Sequence, residues 1–355
     1  MMSPKLINMN TIEDIKNILS QAENHNTDAL RSFLFTNPGK PLIAVGSGGM
    51  VGVAQLVSLL YGTMSGLGRA MTPLEMNSLS DETLSRVKIL LLSKGGHNND
   101  IEFAAKRCLA VNPSGTACMC LYSGEKNKLR PLFAKAGASQ RDFRFDCDVH
   151  DGFVSEGSPL MYFALFAKAL GVLDRVNAEN IGVKFQTNAG AALCADDFKA
   201  VQHFSVLSAG WGSPVAELLE GKCVESGWAS VQLSDYRNYC HGRFIFTSNH
   251  LDDSAVVMLV TPREKALSER IRSFLPENTK LILVETVLDS PAASLQLLSD
   301  ITLLFTELCR SAGVNPDSPK NPGKIDKRVP IWVPFVAELK KIGPLSARFA
   351  QKFLN

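Results

Sequence analysis

Short runs of consecutive apolar residues recur along the first half of the chain, and each is followed by a helical pattern. The predicted strands are 42–45, 87–92, 117–121 and 143–149, and the predicted helices are 50–61, 98–110, 125–136 and 155–170. Apolar runs without polar alternation are typical of strands that are buried on both faces of a parallel sheet. Their alternation with helices predicts an α/β sandwich.

The same pattern restarts in the second half, with predicted strands at 206–209, 255–260 and 281–285. Helical patterns begin at residue 213 and cover 263–274 and 295–309, and Gly46 and Gly210 hold equivalent places in the two halves. This internal duplication predicts two α/β domains in tandem, each with a parallel sheet. We expect an N-terminal helical segment over 1–36, with a capping box at Thr11 and Asp14. The two domains should cover 37–176 and 177–312, and a proline-rich basic tail should cover 313–355.

The composition of the chain excludes some classes of protein. The 355 residues are 45% hydrophobic and 20% charged with a net charge of +2, which excludes wholesale disorder and gives no reason to expect a nucleic-acid partner. No apolar run approaches the roughly 18–20 residues of a spanning helix, and no signal peptide is evident, so we expect a cytoplasmic protein without a membrane partner. The eight cysteines form no CxxC and should be reduced thiols. No local histidine or cysteine ligand set predicts a metal.

Two glycine-rich turns lead from a predicted strand into a helix, where backbone N–H groups can hold an anion. If their strands are neighbours, the turns converge at the carboxyl end of the sheet, where open α/β folds bind ligands. The candidate ligand-binding residues are Gly46, Ser47, Gly48, Gly49, Ser93, Lys94, Gly95, Gly96, His97, Asn98 and Ser155. A third glycine at Gly52 also allows a dinucleotide-binding interpretation, and hence a nucleotide-dependent oxidoreductase, although Val51 stands where the usual motif has glycine.

Six sequence blocks, in this order, make the chain resemble tandem sugar-isomerase (SIS) proteins. These include the isomerase half of glutamine–fructose-6-phosphate aminotransferase, sugar-phosphate deaminases and fructosamine deglycases. The resemblance covers about residues 37–325. The blocks are LIAVGSGGM, ILLLSKGGHNNDIEFA and GFVSEGS in the first half, and VLSAGWGSPVAELLEGKCVES, YRNYCHGR and DSPKNPGK in the second.

The resemblance implies a site and a reaction. Glu225 matches the family glutamate that moves a proton between C1 and C2, His241 the histidine that opens the sugar ring, and Lys324 the lysine that handles the open-chain carbonyl. A buried carboxylate and an imidazole suit this acid–base chemistry. The leading hypothesis is a sugar isomerase, deaminase or deglycase that acts on a phosphorylated or otherwise anionic (amino)sugar, without cofactor or metal. The family also implies a homodimer, since the histidine can come from the neighbouring subunit.

The first-half loops depart from the family pattern. Three hydroxyls that hold the sugar phosphate in the family are replaced here by Met50, Gly95 and Asn98, while Lys94 offers a new positive charge. This departure supports an alternative, a non-catalytic SIS protein that binds a sugar and regulates a partner. No block resembles a glutaminase domain, so we do not expect glutamine-dependent amination within this chain.

Overall fold

The computed structural model describes residues 11–122, 124, 127–149 and 151–319, and it contains two five-stranded sheets. The first sheet is formed by the first five strands of the chain and the second sheet by the next five. The strands are β1 Leu42–Val45, β2 Gly68–Met71, β3 Lys88–Leu92, β4 Thr116–Cys120, β5 Asp142–Arg144, β6 Val183–Thr187, β7 His203–Leu207, β8 Ser230–Ser234, β9 Ser254–Val260 and β10 Lys280–Glu285.

Thirteen α-helices connect and cover the strands of the described residues. They are α1 Ile12–Asn24, α2 Asp28–Phe35, α3 Met50–Met64, α4 Pro73–Asn77, α5 Asp81–Arg86, α6 Asn99–Val111, α7 Leu129–Lys135, α8 Gly157–Ala169, α9 Ser213–Glu225, α10 Tyr236–Asn238, α11 Phe244–Asn249, α12 Lys265–Arg272 and α13 Pro291–Ala312. The predicted capping box at Thr11 is confirmed, because its hydroxyl accepts the Asp14 N–H while Asp14 accepts the Thr11 N–H.

The first sheet is entirely parallel, with the strand order β2-β1-β3-β4-β5. Strands β1 and β3 are neighbours, so the turns that follow them, at 46–49 and 93–98, do meet at one carboxyl edge. In this strand order β1 and β3 flank the topological switch point, where doubly wound sheets form their ligand crevice. The fold therefore positions both glycine turns at the place where a ligand is expected.

The second sheet has the order β6-β10-β9-β7-β8, and its first strand departs from the prediction. Strand β6 runs antiparallel to β10, whereas the other pairs are parallel, so this sheet is mixed rather than parallel. Because β6 lies at the edge, one of its sides has no strand partner, and an antiparallel strand at such an edge is common in α/β sheets.

A shared apolar layer lies between the two sheets. On the central strands, every second side chain points into this layer. One continuous buried cluster contains Ala44 and Leu90 of the first sheet and Val257 and Ile282 of the second. This cluster also contains the inward residues of α3, α8, α9 and α13. The outer faces of the sheets are covered separately, by α4–α7 on the first sheet and by α10–α12 on the second. The two halves thus share one helical core.

Helix α13 is long and apolar enough to cross a membrane, but 89% of its most apolar 18-residue stretch is buried within the protein. Packing against α8, α9 and the second sheet accounts for this composition. The eight cysteines are free thiols, as predicted, and six of them are buried.

Candidate functional site

A cleft of about 190 Å³ lies between the turn after β1 and the last two turns of α9. We call it the α9 cleft. Its volume is below the roughly 300–1,000 Å³ of pockets for drug-sized ligands, so it suits a molecule the size of one sugar better than a dinucleotide. It is lined by Gly48, Gly49, Val51, Gly52, Val154, Ser155, Glu217, Leu218, Glu220, Gly221, Lys222 and Glu225.

Four of the sequence-predicted site residues meet in this cleft: Gly48, Gly49, Ser155 and Glu225. Glu225 is the last residue of α9. Gly46 and Ser47 shape the turn before the cleft, where the Met50 N–H donates to the Ser47 carbonyl.

Glycine at position 52 is explained by helix packing. A Cβ at this position would lie 2.5 Å from Cγ of Leu218 and 2.9 Å from the Pro214 carbonyl oxygen. Gly52 therefore lets α3 approach α9 closely and closes one side of the cleft. This contact accounts for the third glycine of the GxGxxxG pattern without a dinucleotide.

Lys222 is a cleft residue that the sequence analysis missed. Its side chain is only 2% exposed. The ammonium donates to the Ser155 carbonyl at 3.2 Å, lies 3.5 Å from a Glu156 carboxylate oxygen and 5.5 Å from the centre of the Phe305 ring. A cation three residues before a candidate catalytic glutamate falls on the same face of a helix, and this spacing is the signal that was available.

The Glu225 carboxyl has an electrostatic environment suited to a base. Glu225 is an exposed residue at the end of α9, yet the protein around its carboxyl desolvates it enough to raise its pKa above the ordinary value; Lys222 opposes that shift, and Glu220 adds to it. The pKa of Glu220 is also raised, by burial and by Glu217. A carboxylate whose pKa moves toward neutrality becomes a stronger proton acceptor while staying ionised at working pH.

The N-terminus of α8, beside the cleft, already holds a carboxylate of the chain. Asp151 accepts the N–H groups of Glu156 and Ser158 at 3.0 Å each and the Ser158 hydroxyl at 2.5 Å. Lys94 forms an ion pair with the same carboxylate at 2.6 Å. Burial raises the pKa of Asp151, but the bonds from Lys94 and Ser158 outweigh it, so the net shift is downward. Lys94 therefore has a partner that the sequence analysis did not foresee.

The loop 93–98 does not contribute to the lining of the α9 cleft. The Gly96 N–H donates to the Ser93 hydroxyl at 3.1 Å, and the Asn98 side chain caps α6 by accepting two backbone N–H groups. The ring of His97 is exposed and folds close to Gly95, where a Cβ would lie 2.6 Å from Nδ1.

His241 lies on the opposite side of the second sheet from Glu225. Helix α9 packs on the face of this sheet that carries Val206 and Val257, whereas Tyr236 and Tyr239, which precede His241, pack on the face of Val256 and Met258. His241 is exposed, in a kinked segment between α10 and α11. Within one chain, the sheet therefore separates the two residues. Lys324 lies outside the described residues.

One side-chain group in the described part of the chain has a geometry that could hold a metal ion. Donor atoms of Cys118, Cys120 and Asp142 lie within 4.8 Å of one another. Asp142, however, already pairs with the Arg144 guanidinium and accepts the Cys118 thiol at 3.1 Å, and burial raises the pKa of Cys118. A thiol that resists ionisation is a weak metal ligand.

Three solved structures illustrate that this architecture occurs in proteins of low sequence identity to this chain. The C-terminal domain of glucosamine-fructose-6-phosphate aminotransferase from Francisella tularensis matches with a TM-score of 0.59 at 13% identity, over 87% of this chain and 95% of that one. Glucosamine-6-phosphate deaminase from Thermotoga maritima matches with a TM-score of 0.59 at 17% identity, over 87% and 98%. Tagatose-6-phosphate ketose/aldose isomerase from Escherichia coli matches with a TM-score of 0.60 at 17% identity, over 90% and 98%.

The chain has the tandem SIS fold. The match spans nearly the whole of each SIS structure, so the duplication and the arrangement of both sheets are shared. No protein-family model and no curated protein sequence matches the chain. At this identity the likeness establishes the SIS fold, while the reaction has to be argued from the residues of the α9 cleft.

Proposed function

We propose that this SIS protein is a sugar isomerase or deaminase that removes the proton alpha to the carbonyl of an open-chain sugar. The observation that carries the proposal is that Glu225, with its raised pKa, and Lys222 both line one cleft that fits one sugar. The SIS fold supports the same class of ligand, as do the solved neighbours, which include a glucosamine-6-phosphate deaminase and a tagatose-6-phosphate isomerase.

The chemistry uses two groups of α9. The Glu225 carboxylate accepts the alpha proton and can return it to the adjacent carbon; together with transfer of the C2 hydroxyl proton to the C1 oxygen, this interconverts an aldose and a ketose. Negative charge then develops on the carbonyl oxygen. An ammonium has three donors, of which Lys222 directs one to the Ser155 carbonyl and one toward Glu156, so the third is available to that oxygen.

Ring opening by His241 requires a second copy of the chain in this proposal. Because the second sheet lies between His241 and Glu225 in one chain, a single chain cannot bring both to one sugar. A homodimer in which His241 faces the partner's α9 cleft removes this obstacle. We propose this arrangement together with a cytoplasmic location and a carbonyl role for Lys324.

The test follows the alpha proton itself. The full-length protein is incubated in D₂O with glucose, fructose, glucosamine and their 6-phosphates, and proton NMR measures deuterium incorporation at C1 and C2. Glu225→Gln should lower the exchange rate by about 10²–10⁴-fold while the sugar still binds, because it removes a general base. Glu269→Gln, on exposed α12, is the matched control and should exchange like the wild type. Exchange that survives in Glu225→Gln would refute the proposed base.

A non-catalytic sugar-binding SIS protein is the second candidate, favoured by the position of His241 away from the α9 cleft. It predicts sugar binding without deuterium incorporation in the wild type. The same NMR experiment therefore separates the two candidates.

A further inference from the structure

The wall of the α9 cleft carries more negative than positive charge. Three carboxylates line it, from Glu217, Glu220 and Glu225, against the single ammonium of Lys222. Among the described residues, no hydrogen bond or ion pair joins any of the three carboxylates to a cation. The pKa values of Glu220 and Glu225 are both raised, the direction expected when carboxylates lack a positive neighbour strong enough to offset their burial.

Lys222 does little to offset this charge. It is buried against Glu156, whose own carboxylate is 10% exposed and lies 3.5 Å away. One positive charge is therefore shared between a buried partner and the cleft. A bound anion would have to face the three carboxylates that line the same cleft, and like charges in a partly desolvated site repel each other.

The helix N-termini beside the first sheet, which could hold a phosphate, are also occupied. At α8 the N–H groups of Glu156 and Ser158 bind the Asp151 carboxylate. At α6 the N–H groups bind the Asn98 side chain. At α3 the first two N–H groups donate to the carbonyls of Ser47 and Gly48. An N-terminus binds an anion through N–H groups that have no acceptor, and at each of these three helices two of those groups already have one.

We infer that the α9 cleft takes a sugar that bears a positively charged amino group and no phosphate. The ammonium would lie against Glu217 and Glu220, which supply the missing counter-charge, while the carbonyl end faces Glu225 and Lys222. This inference rests on the proposed function, names its substrate class, and departs from the anionic sugar expected from the sequence.

The experiment is a two-by-two comparison of ligand charge with the full-length protein. Isothermal titration calorimetry measures the affinity for glucose, glucosamine, glucose 6-phosphate and glucosamine 6-phosphate. We expect glucosamine to bind about tenfold or more tightly than glucose, because a charge-assisted contact is worth about that factor. Neither phosphate ester should bind more tightly than its parent sugar. The advantage of glucosamine should shrink at high salt.

Variants locate the contact. Glu217→Gln and Glu220→Gln should each reduce the preference for glucosamine over glucose by about threefold to tenfold, and Glu269→Gln on α12 should leave it unchanged. Tighter binding of the phosphate esters, or equal affinity for glucose and glucosamine, would overturn the inference while leaving the proposed proton transfer standing. No binding of any of the four sugars would overturn both.

Discussion

The Asp151 carboxylate occupies the place of an anion at the N-terminus of α8, so removing it should create a phosphate site. In Asp151→Ala, the N–H groups of Glu156 and Ser158, the Ser158 hydroxyl and the Lys94 ammonium all lose their shared acceptor. These four donors surround one position and carry one full positive charge. The vacated space is bounded by the same groups that hold phosphate in other proteins, namely a helix N-terminus and a lysine.

The expected loss of unfolding free energy follows from the burial of the Asp151 side chain. The Asp151 side chain is 5% exposed, and removing one partner of a buried ion pair costs about 3–5 kcal/mol. Lys94 is 33% exposed and can turn to solvent, so we expect the low end, about 3 kcal/mol of lost unfolding free energy. If phosphate then binds the variant with a Kd of about 1 mM, 20 mM phosphate should restore about 2 kcal/mol through mass action.

The assay is urea unfolding of wild type and variant, with and without 20 mM phosphate, against sodium chloride at matched ionic strength. Phosphate should stabilise Asp151→Ala and leave the wild type unchanged relative to chloride. Asp151→Asn is the matched control, because its amide still fills the position and should prevent phosphate from binding. Equal stabilisation of wild type and Asp151→Ala by phosphate would refute the reasoning, since it would mean that the native chain already offers an anion site.

Two further predictions concern stability. Burial raises the pKa of Asp300 to about 7 from an ordinary 3.8, so its contribution to stability is lost as the pH rises from about 4 to 7. Asp300→Asn should therefore be more stable than wild type at pH 5, and by a further margin of about 2–3 kcal/mol at pH 8; urea unfolding at the two pH values checks this, and the same difference at both would contradict it. Gly52→Ala should cost about 1–3 kcal/mol because its Cβ would meet Leu218, and Leu218→Ala in the same chain should recover part of that loss, again by urea unfolding; an unaffected single variant would show that α3 and α9 can separate freely.

Central strands could be predicted from the sequence because burial on both faces leaves an uninterrupted apolar run. Strand β1 has the predicted bounds, β3 begins one residue later than predicted, and β4 both begins and ends one residue earlier than predicted. Strands β2, β6 and β8 were missed. All three are edge strands with partly exposed residues, and their sequences GRAM, VKFQT and SVQLS carry polar side chains at positions that face solvent. The apolar pattern disappears where a sheet ends.

The sequence predicted residues of the candidate site only where they belong to a local motif. Glu225 and Ser155 lie in recognisable blocks, and the cleft brings them together. Asp151 and Lys94 are 57 positions apart, and no local pattern indicates that they form an ion pair. Glu225 and His241 lie on opposite faces of the second sheet because the helices that carry them pack on opposite sides of it. Their separation of sixteen residues in the sequence does not indicate on which side each helix packs.

The charge preference at the α9 cleft depends on residues of the loop 93–98, of the α8 N-terminus and of α9, so a change at one of them alone does not reverse it. Introducing hydroxyls at positions 95 and 98 alone would not restore an anion site, because Gly96 already donates to Ser93 and the α6 N-terminus would still need a cap. Removing Asp151 alone would free four donors at α8 yet leave the three glutamates of α9 in place. A phosphate ester whose sugar lies in the α9 cleft would therefore gain its full affinity only when both α8 and α9 are altered, whereas a sugar ammonium would lose affinity from changes on α9 alone. This asymmetry means that ligand charge, more than sugar stereochemistry, is the property by which the substrate of this protein should first be sought.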